Sequence, residues 1–291
     1  MKTVDITYRY GGPQGADVTP RPADSDSALN RLNEGNRAFA ALLEGFADQA
    51  GGVQRIVPVD PGDLGLLSAD GGPPKQRPFA AVIGCSDARV PVEPIFNEGP
   101  NDLFIIRVAG NSLGTEVLGS LKFAVDHLSD NLKLIVVLGH SGCGALTAAV
   151  DVFLNPADYL SLAAKHSLRY VLDTLLIVVQ ASAKKILEAF GPHIVRHPGY
   201  RQALIEVSIV THAALSAYSI QQEFQTGQAG LQVVYGVYLL ETRQVWTPYA
   251  NKAKGSGLTL APRDAAGFIE LGDALLQSDR IAAFLKTNGE Q

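Results

Sequence analysis

Two five-residue apolar runs, Phe79 to Ile83 and Leu134 to Leu138, constrain the fold of this chain more than any other feature. Neither alternates polar with apolar positions. Each therefore reads as a strand covered on both faces, as the strands of parallel sheets are. Phe104-Ile105-Ile106-Arg107-Val108 reads as another short strand between them. Leu118, Leu121, Phe123, Ala124, Val125 and Leu128 then carry a helical pattern, and helix again follows Gly144. This strand–helix–strand order predicts an α/β fold: a central, mostly parallel β-sheet flanked by helices and joined by right-handed crossovers.

Both outer runs end in reactive residues. Cys85-Ser86-Asp87-Ala88-Arg89 follows the first and His140-Ser141-Gly142-Cys143 the second; these are the only two cysteines in the sequence. Free cysteines are most often buried, inert thiols. A redox pair is a further reading, although no Cys-x-x-Cys motif is present. The His-x-x-Cys spacing and the Asp-x-Arg tail favour a metal instead. Loops at the C-terminal ends of parallel strands are where open sheets place chemistry. Cys85, His140 and Cys143 supply two thiolates and an imidazole. Three protein ligands leave a fourth position open, the catalytic rather than the structural kind of zinc site. Asp87 can accept a hydrogen bond from zinc-bound water or displace that water as a fourth ligand. Arg89 can hold Asp87 off the metal by a bidentate pair. His127, His166, His193, His197 and His212 are scattered and read as surface or helix residues. Gly142 and Gly144 flank Cys143 without the spacing of a phosphate-binding loop.

An apolar content of 46% with 18% charged residues predicts a folded globular protein. The net charge of −5 gives no footprint for nucleic acid. Met1 to Gly12 lacks the pattern of a secretory leader. The most apolar short run, Leu175 to Val179, falls well below the roughly 20 residues of a membrane span. The expectation is a soluble protein, cytoplasmic or within an intracellular compartment. Residues 1–26 read as a flexible N-terminal arm and 27–250 as the catalytic domain. That domain opens on a helical arm carrying Leu29, Leu32 and Phe39. Residues 51–77, rich in Gly and Pro, read as a long loop. Residues 151–205 form a helical insertion broken at Pro156, Gly191-Pro192 and Pro198-Gly199, and 206–224 a further helix. The apolar side chains from Leu172 to Val179 are expected at a subunit interface. Gln232 to Tyr238 and Gln244 to Trp246 read as paired strands. Residues 251–291 read as a C-terminal extension with one helix near Ala274 to Leu285.

At these residues the chain resembles the beta-class carbonic anhydrases, whose signature is Cys-Ser-Asp-Ser-Arg followed by His-Ser-x-Cys-Gly. Here CSDARV stands at 85–90 and GHSGCGAL at 139–146. RLNEGNRAF at 31–39, FIIRVAGN at 104–111, LGSLKFAVDHL at 118–128 and YGVYLLETRQV at 235–245 extend the likeness. The resemblance implies one zinc per chain on Cys85, His140 and Cys143, with Asp87 and Arg89 as a catalytic dyad. It implies a pocket lined by Gln76, Phe104, Ala109 and Gly144, Gln76 coming from the partner subunit of a homodimer or higher homo-oligomer. The implied reaction is reversible hydration of carbon dioxide to bicarbonate and a proton by zinc-bound hydroxide. Two alternatives stand beside it: hydrolysis of carbon disulfide or carbonyl sulfide on the same ligand set, and a zinc- or bicarbonate-binding assembly protein with little turnover. Ala88 stands where the family usually has serine, and Val108 where asparagine is frequent.

Overall fold

A computed structural model of the chain describes residues 4–10, 20–48, 53–65, 72–163, 166–224, 230–249 and 257–285. The strands are β1 (Val4–Tyr10), β2 (Val53–Val59), β3 (Ala80–Cys85), β4 (Leu103–Val108), β5 (Leu134–His140), β6 (Gln232–Tyr238), β7 (Val245–Trp246) and β8 (Thr259–Leu260). The helices are α1 (Ser25–Asp48), α2 (Val92–Phe96), α3 (Thr115–His127), α4 (Gly144–Leu154), α5 (Asp158–Ala163), α6 (His166–Phe190), α7 (Tyr200–Phe224), α8 (Ala265–Gln277) and α9 (Asp279–Leu285).

The main sheet runs β4-β3-β5-β6-β7, with β8 also paired to β6. β4, β3, β5 and β6 are mutually parallel, whereas β7 and β8 are antiparallel to β6. Every residue of β3 and β5 is buried, which accounts for their lack of alternation. Side chains of one parity, Ala81, Ile83, Ile135 and Val137, pack under α3, α4, α6, α7, α8 and α9. The other parity, Ala80, Val82, Leu134, Val136 and Leu138, packs under α1 and α2. The expected α/β architecture is therefore present, with β6 and β7 paired as foreseen through Val237↔Trp246 and Tyr238↔Val245.

Four expectations need correction. Inside the supposed N-terminal arm, Val4–Tyr10 is a strand, and α1 already begins at Ser25; residues 11–19 of that arm lie outside the described residues. Inside the supposed loop 51–77, Val53–Val59 is a strand, paired in parallel with β1 from Val4↔Val53 to Tyr10↔Val59. The alternation of Val4, Ile6, Tyr8 and Tyr10 outweighs the glycines and prolines nearby, and Pro58 sits in a two-stranded ribbon where a missing donor is tolerated. Among its described residues the C-terminal extension holds two helices, not one. They break at Ser278, whose extended backbone ends α8 and whose hydroxyl donates to the Leu275 carbonyl at 2.6 Å.

The fourth correction concerns the insertion. Its breaks fall where Pro and Gly placed them, but its apolar stripe is satisfied within the chain. Leu172, Leu175, Val179, Ala183 and Ile186 recur at helical spacing and are buried in the core with α4 and α7. Ile177, on the opposite face, is 68% exposed. Burying each of these aliphatic side chains contributes about 1.5–3 kcal/mol, with alanine contributing less. α7 is long and apolar enough to cross a membrane by length and composition, yet 78% of its most apolar 18-residue window is buried inside the protein. It packs on β5 and β6 as the central helix of the core.

The opposite face is tied down by charge. Arg31 of α1 donates from Nε to both carboxylate oxygens of Glu98, at 2.9 and 3.1 Å, and lies 3.4 Å from Asp102. Arg21 and Arg77 both pair with Asp63, at 2.9 and 2.7 Å. Burial pushes the Glu98 carboxyl up to about 7, against the pull of the Arg31 guanidinium.

Candidate metal centre

The chain leaves β3 for α2 on one face of the sheet and leaves β5 for α4 on the other. Between two neighbouring strands whose connections diverge, a crevice opens at their C-terminal ends. Cys85 is the last residue of β3 and His140 the last of β5. Gly142 then takes φ +64°, with open space where a Cβ would stand, so conformation alone calls for glycine here. That turn sets Cys143 at the N-cap of α4. Cys85, His140 and Cys143 are all buried, and their ligand atoms lie within 4.8 Å of one another.

The donor chemistry fits a metal. His140 Nδ1 lies 3.0 Å from the Ser141 carbonyl, so Nδ1 carries the proton and donates. Nε2 is buried and without a hydrogen-bond partner. Buried ring nitrogens are almost always satisfied, and a histidine fixed through its other nitrogen is the usual form of a metal ligand. The Cys85 thiol is drawn well below the ordinary range, chiefly by a hydrogen bond with Cys143 and also by His140 and the amides of Asp87 and Gly110, against burial. The same bond and burial raise Cys143, while the amides of Leu146 and Ala145 oppose the rise. One proton shared between two sulfurs is a site ready to bind a thiolate-seeking cation such as zinc.

Asp87 stands beside the cluster, its Oδ2 3.9 Å from His140 Nε2. Arg89 holds it: Nε donates to Oδ1 at 2.9 Å, Nη2 to Oδ2 at 2.7 Å, and the Arg89 amide to Oδ1 at 2.9 Å. This bidentate pair keeps the carboxyl far below the usual carboxylate range. Two residues missed by sequence reasoning brace the same loops. Arg107 donates to the carbonyls of Cys85 at 3.1 Å and Asp87 at 2.5 Å, fixing the Cys85–Asp87 turn. A lone charge inside an apolar strand run was its available signal. His212, read as one of the scattered histidines, is buried on α7 and donates from Nε2 to the Gly110 carbonyl at 3.0 Å. Burial lowers it to about 4, so it is neutral. Gly110 has φ +63°, and a Cβ there would come within 3.0 Å of Ala145 Cβ.

The remaining predicted residues divide into two groups. Ala109, in the turn after β4, and Gly144, opening α4, are exposed; Gly144 follows Cys143 directly, and Ala109 follows Val108, the residue paired with Cys85. Phe104 pairs with Ala81, four residues up β4 from Val108, and packs on the helical core. Gln76 is exposed, nine residues before Cys85 at the opposite end of β3. Asn101 fastens its neighbours by bonding the Lys75 carbonyl at 2.9 Å and the Arg77 amide at 3.1 Å. The fold thus brings together Cys85, Asp87, Arg89, His140 and Cys143, but not Gln76 or Phe104.

Fold and cluster define a class: an α/β protein with a Cys–His–Cys cluster able to hold a metal at the switch point of its sheet. A family model described as carbonic anhydrase matches residues 80–245, more than half of the chain. The chain belongs to the beta-class carbonic anhydrase family. It is 36% identical to carbonic anhydrase 2 of Mycobacterium tuberculosis, over 37% of this chain and 62% of that protein. It is 36% identical to the carbonic anhydrase of Mycolicibacterium smegmatis, over 41% of this chain and 56% of that one. The chain thus spans less than two thirds of the length of these relatives. Among solved structures, a tetrameric beta-carbonic anhydrase from Sordaria macrospora is 22% identical, with a TM-score of 0.44, over 59% of this chain and 81% of that one.

Proposed function

We propose that this chain is a zinc enzyme that interconverts carbon dioxide with bicarbonate and a proton. The observation that carries the reading is the buried, unpartnered His140 Nε2, grouped with two cysteine sulfurs beside a carboxylate held by arginine. Cys85, His140 and Cys143 hold one zinc per chain. Zinc in such a site supplies a water made nucleophilic at neutral pH. Asp87, ionised throughout the physiological range, accepts a hydrogen bond from the attacking group and orients it. Arg89 keeps Asp87 in that role by occupying both its oxygens. Arg107 holds the Cys85–Asp87 backbone, so ligand and carboxylate move as a unit. Ala109 and Gly144 line the mouth. Gln76 reaches a site only across a homodimer, where one protomer's strand start meets its partner's crevice. Both cysteines are free, which suits a cytoplasmic setting that keeps thiols reduced.

The test is stopped-flow carbon dioxide hydration on protein of known zinc content, from about pH 6.5 to about pH 9. Zinc near one per chain with fast turnover supports the reading. Zinc at that level without turnover overturns it, and carbonyl sulfide and carbon disulfide are then the substrates to assay. Cys143→Ser is expected to lose most zinc and activity. Full activity with stoichiometric zinc in that variant refutes the ligand set.

A further inference from the structure

We propose that Arg280, in the C-terminal extension, is a positioning residue for the metal centre, acting on His140 through Glu241 and Ser141. The inference rests on the zinc reading above and concerns a residue outside the segment 80–245 that the family model matches.

Arg280 lies on α9 and joins two carboxylates from different parts of the chain. Its Nε and Nη2 donate to Oε2 of Glu206, on α7, at 3.0 and 2.7 Å. Its Nη1 donates to Oε1 of Glu241, in the turn between β6 and β7, at 2.5 Å. The guanidinium carbon also stands 6.0 Å from the centre of the Trp246 ring. Glu241 uses its other oxygen, Oε2, to accept the Ser141 hydroxyl at 2.8 Å. Ser141 is engaged at every polar group. Its amide donates to the Tyr238 carbonyl at 2.9 Å, its hydroxyl accepts from the Leu240 amide at 2.9 Å, and its carbonyl accepts from His140 Nδ1 at 3.0 Å. A continuous path results, Glu206–Arg280–Glu241–Ser141–His140, every link of it a hydrogen bond of 3.0 Å or less.

The two arms of Arg280 do different things. Glu206 is buried, and pairing it removes an uncompensated interior charge, which is enough to dock α9. Glu241 is 51% exposed and water could solvate it, so burial does not demand the second arm. That arm pins a side chain that would otherwise move, and through it the Ser141 hydroxyl and peptide. The Ser141 carbonyl is the acceptor that fixes the His140 tautomer and aims Nε2 at the sulfurs. Removing such outer partners weakens metal binding about 10–100-fold in metalloproteins generally. Arginine suits the position because its planar fork meets two carboxylates at once, which a lysine ammonium does not.

The test compares the full-length parent with Arg280→Met, Arg280→Lys and Ser141→Ala, well below their melting temperatures. Zinc affinity is read by competition with a chromogenic chelator, and ligand geometry by the absorption bands of the cobalt(II)-substituted protein. Arg280→Met is expected to weaken zinc binding about tenfold and shift the cobalt bands. Arg280→Lys is expected not to restore the parent affinity, and Ser141→Ala to show a similar loss that Arg280→Met does not deepen. Parent affinity and parent cobalt bands in Arg280→Met, with only a lower melting temperature, overturn the inference and leave Arg280 a clamp on α9. Should Arg280→Met fail to fold, Glu241→Ala carries the same test at a half-exposed turn, and parent affinity there is equally fatal. A parent protein that binds no zinc overturns both readings. A parent that binds zinc and turns over, with unchanged affinity in the variants, overturns only this one.

Discussion

Leu175→Ala tests whether α6 belongs to the core of a single chain or to a surface between chains. Leu175 is fully buried, and its Cδ1 lies 3.4 Å from where a Cβ on Gly110 would stand, so it supports the turn beside Cys85. Truncation removes three carbons, worth about 0.8 kcal/mol each in transfer. The unfilled space adds to this, for an expected loss of about 3–4 kcal/mol. Ile177, two positions along and 68% exposed, is the control. Ile177→Ala is expected to change stability by no more than about 0.5 kcal/mol. Urea unfolding followed by circular dichroism gives both values, and sedimentation velocity gives the assembly state of each variant. An unchanged denaturant slope ties the shift in midpoint to stability. A loss below about 1 kcal/mol in Leu175→Ala refutes the intrachain packing argument, whereas a dissociated oligomer in Ile177→Ala places a subunit contact on the exposed face of α6.

Two further outcomes are expected. Arg89→Ala frees the Asp87 carboxyl, 3.9 Å from His140 Nε2, from its holder; zinc is expected to stay bound while carbon dioxide hydration falls by about tenfold or more, and parent turnover refutes the role given to Arg89. Glu98 has its folded value raised from 4.5 to about 7, so the native state holds the proton more tightly and stability is greatest below the unfolded value, declining as pH rises through about 7 by up to roughly 3 kcal/mol; Glu98→Gln is expected to flatten that slope in urea titrations, and parallel slopes for parent and variant refute the assignment.

The centre of the molecule was legible because its signals are local. Unalternated runs marked β3 and β5, and the ligands sit at or just past their ends, so naming the strands placed the cluster. The helix breaks within residues 151–205 were equally legible at Pro156, Gly191 and Pro198, but the bounds were not: 151 lies inside α4, and the helix expected over 206–224 begins at Tyr200. Partnership was not legible. The stripe from Leu172 to Ile186 says that α6 must bury a face but not against what, and Leu172, Leu175 and Val179, first expected at an interface, pack with α4 and α7 of the same chain. β1 was missed because the glycines and proline that follow it masked its alternation, and β2 because VQRIVPV does not alternate and carries Pro58. Arg107, His212 and Arg280 act across 20 to 102 residues of sequence, and hydrogen bonds of that reach leave no periodicity to read.

Placing the ligands on neighbouring strands has a consequence for how the metal is acquired. His140 and Cys143 are close in the unfolded chain, but Cys85 joins them only when β3 and β5 lie side by side, with the whole of β4 and α3 looped out between. An unfolded chain therefore offers two donors and little grip, and full affinity appears with the sheet. On the zinc reading proposed above, zinc binds the folded state far more tightly than the unfolded one, adding up to about 2.7 kcal/mol of stability at a free concentration one hundred times its dissociation constant. On that same reading chelation is felt as destabilisation of the sheet, and zinc supply sets how much of this protein survives a challenge by heat or protease.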